Sequence, residues 1–297
     1  MESITLYNLS KMLLKASTRI IENKDKINAI NVFPVADSDT GSNLANTFLG
    51  VEQILESKIF KSPSNLVDEI LKSAFTNSQG NSGIMMASFL KGFLTTLEEK
   101  DKFFLNDFAK AAKNGANSAR SSIQKPVRGT MLDVMEEFSD SLITKKEHIS
   151  ITDAFKTSAQ KAKTTLFNTK RKLKILKENN VVDAGALGFT YFVYGLYEGL
   201  SGRSLKLLGI EEKPRFNNQE IGIGEFSHEV IFTVQNPSFK LKQIRDMLNP
   251  MGNCLDIIEM EEKVKIHIHT DKPEVVKETA SLTGEIEEIK VVDIRYR

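Results

Sequence analysis

Apolar residues recur at three- and four-residue intervals through the first two-thirds of the chain. Leu6, Leu9, Leu13, Ala16, Ile20, Ile27 and Ile30 keep this spacing with charges between them, which predicts one or two amphipathic helices. The period returns over Leu44–Leu55, Leu66–Ser78, Ile84–Leu97, Phe104–Ser121, Thr130–Leu142, Ile151–Leu166 and Leu187–Leu200. The joints are short and polar or carry glycine and proline: Ser62-Pro63-Ser64, Gly80-Asn81-Ser82-Gly83, Pro126-Val127-Arg128-Gly129 and Asp183-Ala184-Gly185. No alternating pattern competes before residue 200, so residues 1–200 are expected to form an all-α domain of antiparallel helices.

From Ser201 to Gly224 the period lapses through Gly202, Pro214 and Asn217-Asn218, marking residues 201–224 as a linker. Residues 225–297 change character. His228–Val234, Leu255–Ile258, Val264–His269 and Ile286–Ile294 read as strands, with a turn at Glu261-Glu262. Leu241–Leu248 and Pro273–Leu282 read as helices. The order β-α-β-β-α-β predicts a small α+β domain of the ferredoxin-like, split βαβ kind. The fold expected is therefore multi-domain: an all-α antiparallel helical bundle or barrel, then a ferredoxin-like α+β unit.

At 297 residues the chain has ample core, and 40 basic against 39 acidic side chains create no global field for nucleic acid or an acidic membrane. One cysteine excludes an intramolecular disulfide and suits a reducing compartment. No basic and apolar leader or bilayer-length apolar run is present. A cytoplasmic, soluble protein is expected, with no membrane span and no nucleic-acid partner. The lysine-rich stretch Lys156–Lys177 lacks interleaved aromatics and reads as a solvated face.

The chemistry concentrates where the helical period breaks at Pro34. Asp37 and Asp39 follow two residues apart, flanked by Ser38, Thr40, Gly41, Ser42 and Asn43, before Leu44, Thr47 and Phe48 resume helical spacing. The acidic pair is thus expected on a loop entering a helix N-terminus, which offers N–H groups and partial positive charge to an anion. Carboxylate oxygens beside such a start suit Mg2+ carrying phosphate. A plain N-cap with one solvated aspartate is the simpler alternative. At Gly80–Gly83, small residues let backbone N–H groups approach phosphate oxygens and Ser82 adds a hydroxyl donor; here too a bare N-cap is the alternative.

The run Asn31-Val-Phe-Pro-Val-Ala-Asp37-Ser-Asp39-Thr-Gly-Ser-Asn43 resembles the Asn-Val-Phe-Pro-Val-Pro-Asp-Gly-Asp-Thr-Gly-Thr-Asn-Met signature of bacterial fatty-acid kinases. Those enzymes carry the DhaL-type nucleotide-binding domain of the dihydroxyacetone kinase L-subunit family. Gln79-Gly80-Asn81-Ser82-Gly83-Ile84, Pro126-Val-Arg-Gly-Thr130-Met131-Leu-Asp133 and Asn180-Val-Val-Asp183-Ala184-Gly185-Ala186 resemble three further family turns in the same order. The resemblance implies that Asp37 and Asp39 hold Mg2+ on the phosphates of ATP or ADP. It implies nucleotide contacts from Asn31, Thr40, Gly41, Ser42, Asn43, Gly80, Asn81, Ser82, Gly83, Thr130, Met131, Asp183, Ala184 and Gly185, with Met131 an apolar wall for the base. Asn31 stands where the dihydroxyacetone kinases have a further aspartate, and Arg128 where fatty-acid kinases usually have glutamate.

The activity implied is ATP- and Mg2+-dependent phosphorylation of a fatty-acid carboxylate presented by a carrier protein. A carboxylate is already ionised and needs no general base, in keeping with the absence of histidine from the matched motifs; His148 lies in a polar stretch and reads as solvated. The alternatives are a catalytically silent nucleotide-binding regulator and, more weakly, a kinase of small ketones. The family's third, carrier-binding region has no counterpart in these residues, which favours the regulator; a homodimer is left open.

In the second domain, His267-Ile-His269-Thr270 followed by Asp271-Lys-Pro resembles the His-Val-His-Thr…Pro of the fatty-acid kinase middle domain. The family's first-strand cysteine is replaced by Ser227. A two-residue turn at Glu261-Glu262 would set Cys254 opposite His269 and Asp256 opposite His267, on the strand face away from the isoleucines. Cys254, His267 and His269, with Glu229 or Asp256, are therefore expected to form a Zn2+ site; a solvated histidine pair with an inert cysteine is the alternative.

Overall fold

The computed structural model describes residues 2–143, 149–210 and 226–294. The first domain comprises α1 (Leu6–Glu22), α2 (Lys24–Ala29), α3 (Thr40–Ser57), α4 (Pro63–Asn77), α5 (Gly80–Thr95), α6 (Leu105–Ser122), α7 (Met131–Leu142), α8 (Ile151–Lys172), α9 (Lys174–Asn179) and α10 (Ala184–Ser201). The apolar stripe of α1 (Leu9, Met12, Leu13, Ala16 and Ile20) faces inward, as its spacing requires. Following the packing from α1 to α3, α5, α6, α7, α8, α10 and back to α1 closes a ring, with α4 lying outside against α3 and α5. The bundle is thus a helical barrel. Phenylalanines fill it: Phe89 of α5 meets Phe189 of α10 edge-on at 4.8 Å, and Phe108 of α6 meets Phe155 of α8 at 5.3 Å. Each buried ring contributes about 2 kcal/mol before its pairing geometry is counted.

The seam between α1 and α10 depends on missing side chains. A Cβ on Gly195 would stand 2.4 Å from the Cα of Ala16, and one on Gly199 would stand 2.3 Å from the Lys11 carbonyl oxygen. Arg19 fastens the same seam with a two-pronged pair to Glu198. Two helices start a turn earlier than their apolar spacing predicts, since Gly80 and Ala184 already open α5 and α10. Asp183 accounts for the second, accepting the Ala186 N–H at 2.7 Å.

The second domain has β1 (His228–Gln235), α11 (Leu241–Leu248), β2 (Asn253–Met260), β3 (Lys263–Thr270), α12 (Pro273–Thr283) and β4 (Glu285–Asp293). Its antiparallel sheet has the order β2-β3-β1-β4, the ferredoxin-like arrangement. One face carries Val230, Phe232, Val264, Ile266 and Ile268, packed with Ile244, Leu248, Val276 and Ala280 of the two helices.

The other face is polar and buried against the barrel. Lys265 donates to the Phe75, Thr76 and Ser78 carbonyls at 2.7, 2.7 and 3.1 Å, so its ammonium caps the C-terminus of α4. Arg245 of α11 does the same at the end of α6, reaching the Ser121 and Ser122 carbonyls, each at 3.1 Å. Ile123 bridges Asp256 of β2, and Ile258 joins the barrel's apolar cluster. Of the linker expected over 201–224, residues 201–210 are described, and Leu205, Leu207 and Ile210 pack on the barrel core. Residues 211–224 and His148 lie outside the described residues.

Candidate functional site: a pocket between the barrel rim and the sheet

The N-termini of α3, α5, α7 and α10 meet at one rim of the barrel, so their partial positive charges converge. Two adjoining cavities lie there. The smaller is lined from the first domain by Asn31, Asp37, Asp39, Thr40, Asn43, Gly80, Asn81 and Ser82. The larger, about 280 Å³, shares Thr40, Asn81 and Ser82 and adds Thr130, Met131, Asp183 and Gly185.

The acidic loop is held by its neighbours. Asn31 donates to the Val35 carbonyl at 2.7 Å and to Asp37 Oδ1 at 3.0 Å, while its own Oδ1 accepts the Thr40 hydroxyl. Asn31 therefore orients Asp37. Ser38 takes a left-handed conformation between the aspartates, and Asp39 sits at the N-cap of α3 without a capping bond from its side chain. Gly80 also has positive φ (+58°), and a Cβ there would stand 2.3 Å from Asn43 Nδ2; only glycine lets this turn lie against Asn43.

Asp183 joins two of the converging helices, accepting backbone N–H groups of Ala186 and Met131. Burial pushes its carboxyl up to about 7, against the pull of those two bonds. Thr130 occupies the N-cap of α7, yet its hydroxyl donates to the Val127 carbonyl at 2.8 Å. Arg128 pairs with Glu136 and Asp133.

Gly41, Ser42, Gly83 and Ala184 line neither cavity. Packing explains the first two. A Cβ on Gly41 would collide with the Lys24 carbonyl at 2.1 Å, and Ser42 exchanges two hydrogen bonds with the Asn28 side chain.

The sheet closes the site, which the sequence did not foretell. Glu229 and His269 line the smaller cavity opposite the aspartates, and Asn253, Cys254 and Asp256 line the larger. Glu229, His267 and His269 bring their ligating atoms within 4.8 Å of one another. His267, fully buried, has Nε2 3.1 Å from Glu229 Oε1 and Nδ1 3.0 Å from the Cys254 carbonyl. Burial opposes its imidazolium, but Glu229 and Asp256 outweigh that and raise its pKa. Asp256 is 1% exposed, with Oδ2 left without a hydrogen bond; burial lifts its carboxyl to about 7.

The expected strand register needs correction. Asp256 does face His267, but a bulge between Asn253 and Asp256 puts Asn253, not Cys254, opposite His269. Cys254 occupies the bulge at φ +52°, so the donors brought together are the two histidines and Glu229. The solvated histidine face is corrected too, since both histidines are buried under the barrel.

A closed helical barrel with paired aspartates at its rim, roofed by a small sheet domain, defines a DhaL-type protein with an appended α+β unit. The chain belongs to the DAK2 domain family, matched over residues 34–198. Residues 225–296 match the FakA-like middle domain of fatty acid kinases. An uncharacterized protein of Staphylococcus saprophyticus is 28% identical over 302 residues, covering 96% of this chain and 54% of that protein. Similar proteins of Staphylococcus haemolyticus and Staphylococcus aureus are 26% identical over 298 residues, with the same coverage. The chain thus spans about half the length of the curated relatives it matches. The dihydroxyacetone kinase from C. freundii, solved in complex with AMP-PNP and Mg2+, shares the fold with a TM-score of 0.51 at 16% identity, over 67% of this chain and 35% of that one. No described helix is long and apolar enough to cross a membrane.

Proposed function

We propose that this chain is the nucleotide-binding part of a fatty-acid-type kinase, with a division at 1–200 and 225–297 as its working units. The observation that carries the reading is the convergence of four helix N-termini on a pocket lined by both Asp37 and Asp39. Their donor set fits Mg2+, two carboxylates leaving room for phosphate oxygens and water. When bound, that ion would neutralise charge on the phosphates. The Gly80–Ser82 turn and the four N-termini would hold the phosphates, and the apolar larger cavity the nucleoside. An ionised carboxylate acceptor asks no proton removal of the chain. The acyl chain would come from a carrier protein.

The second part of the proposal is a Zn2+ site of Glu229, His267 and His269. The donor set fits: His267 Nδ1 lies 3.0 Å from the Cys254 carbonyl, the outer bond that orients a ligating imidazole, leaving Nε2 towards Glu229. Metal analysis of protein purified without a histidine tag should show about one zinc per chain, lost in His269→Ala. Zinc-free protein that takes up none on titration would contradict the site.

Phosphoryl transfer is tested by ATP turnover with a fatty acid delivered by a carrier protein, against free dihydroxyacetone. Turnover only with the carrier-borne acid is expected. Turnover with dihydroxyacetone would make the chain a small-ketone kinase. Mg2+-dependent ATP binding with neither acceptor used would make it a silent regulator.

A further inference from the structure

We propose that Asp256, from the second domain, is a nucleoside-contacting residue, so that a bound nucleotide is gripped by both domains at once. The inference rests on the nucleotide-binding reading above and adds to it a specificity element outside the DAK2 domain.

The two cavities differ in character. The smaller holds the aspartates and the Gly80 turn, a setting for phosphates. The larger is walled by Phe33, Met85, Ile123, Val127 and Met131, apolar surfaces that suit the faces of a base. Asp256 lines this second cavity. Its Oδ2 is buried and has no hydrogen-bond donor; the nearest charged nitrogen, His267 Nδ1, is 3.8 Å away and already bonded at 3.0 Å to the Cys254 carbonyl. An acceptor buried without a donor is costly. Here it stands in an apolar cavity where a ligand with an N–H or O–H group would satisfy it.

The position of Asp256 is fixed rather than accidental. It pairs with His267 across the sheet and bridges Ile123 of the barrel. Lys265 and Arg245, bound to the ends of α4 and α6, hold β2 and β3 against the rim. The donor that fits lies on the nucleoside, as an exocyclic amine of the base or a ribose hydroxyl. Both offer the same chemistry to a carboxylate.

The test compares ligands that share phosphates but not a nucleoside. Binding of Mg-ATP and of Mg-tripolyphosphate is measured by calorimetry for the full chain and for Asp256→Ala and Asp256→Asn. Asp256→Ala is expected to weaken Mg-ATP about tenfold, equivalent to about 1.4 kcal/mol, and to leave Mg-tripolyphosphate unchanged. Equal loss for both ligands, or no loss, would overturn the proposal.

A second arm needs no variant. Purine riboside triphosphate lacks the exocyclic amine, and the 2′- and 3′-deoxy forms of ATP lack one hydroxyl each. One of the three should bind about tenfold more weakly than ATP and so identify the donor. Equal affinity for all would overturn the assignment. Cys254, the chain's only cysteine, lines the same cavity and reports occupancy: Mg-ATP should slow its alkylation, and Mg-tripolyphosphate should not. Failure of the unaltered chain to bind Mg-ATP at all would remove both this inference and the reading beneath it. Mg-ATP binding indifferent to Asp256 would remove this inference alone.

Discussion

Asp183 accepts N–H groups from the first turns of two helices while standing fully buried at the rim of the site, with its carboxyl raised to about 7 from 3.8. Between these values the folded chain holds a proton that the unfolded chain has released. The contribution of this group to stability is therefore largest near pH 4 and declines as pH rises to about 7. Asparagine would keep the cap without titrating. Urea unfolding at pH 5, 6 and 7 should show the wild type gaining on Asp183→Asn as pH falls, by up to about 1.4 kcal/mol per unit. Parallel profiles would contradict the assignment. This residue was legible in the sequence as part of a nucleotide turn; its capping of two helices was not, because Met131 lies about fifty residues earlier in the chain.

At the scale of elements, Lys265 illustrates why one buried face escaped the sequence. Lys265, His267 and His269 alternate with isoleucines along β3, a pattern that signals a solvent face in an isolated antiparallel sheet. The barrel covers that face instead, and the lysine finds its partners at the end of α4. Lys265→Met should cost about 2–3 kcal/mol in urea unfolding, because three carbonyls lose a charged donor; an unchanged midpoint would show that the cap contributes nothing. On the other side of the barrel, Gly195→Ala drives a methyl into the backbone of α1 and should cost about 1–3 kcal/mol. Helix existence and face were readable from period alone. The early starts of α5 and α10 were not, since Gly80–Gly83 and Asp183–Gly185 read as joints until their N-terminal positions are seen. The bulge at Cys254 also left no mark in the alternation, and it moved the cysteine out of the register that a regular hairpin would impose.

At the scale of the molecule, residues from four barrel helices and three strands of the sheet surround one composite pocket. The sequence showed both domains and the acidic loop, yet not that one domain roofs the other, because that contact depends on polar side chains meeting helix ends far away in the chain. The central claim is that Asp37 and Asp39 bind a nucleotide through Mg2+. It is tested most directly by titrating ADP into the full chain by calorimetry, with and without Mg2+, alongside Asp39→Ala. The account predicts binding that requires Mg2+ and falls about a hundredfold in the variant, close to 2.7 kcal/mol, while circular dichroism and the unfolding midpoint stay unchanged. Equal affinity in a folded Asp39→Ala chain, or binding indifferent to Mg2+, would contradict it.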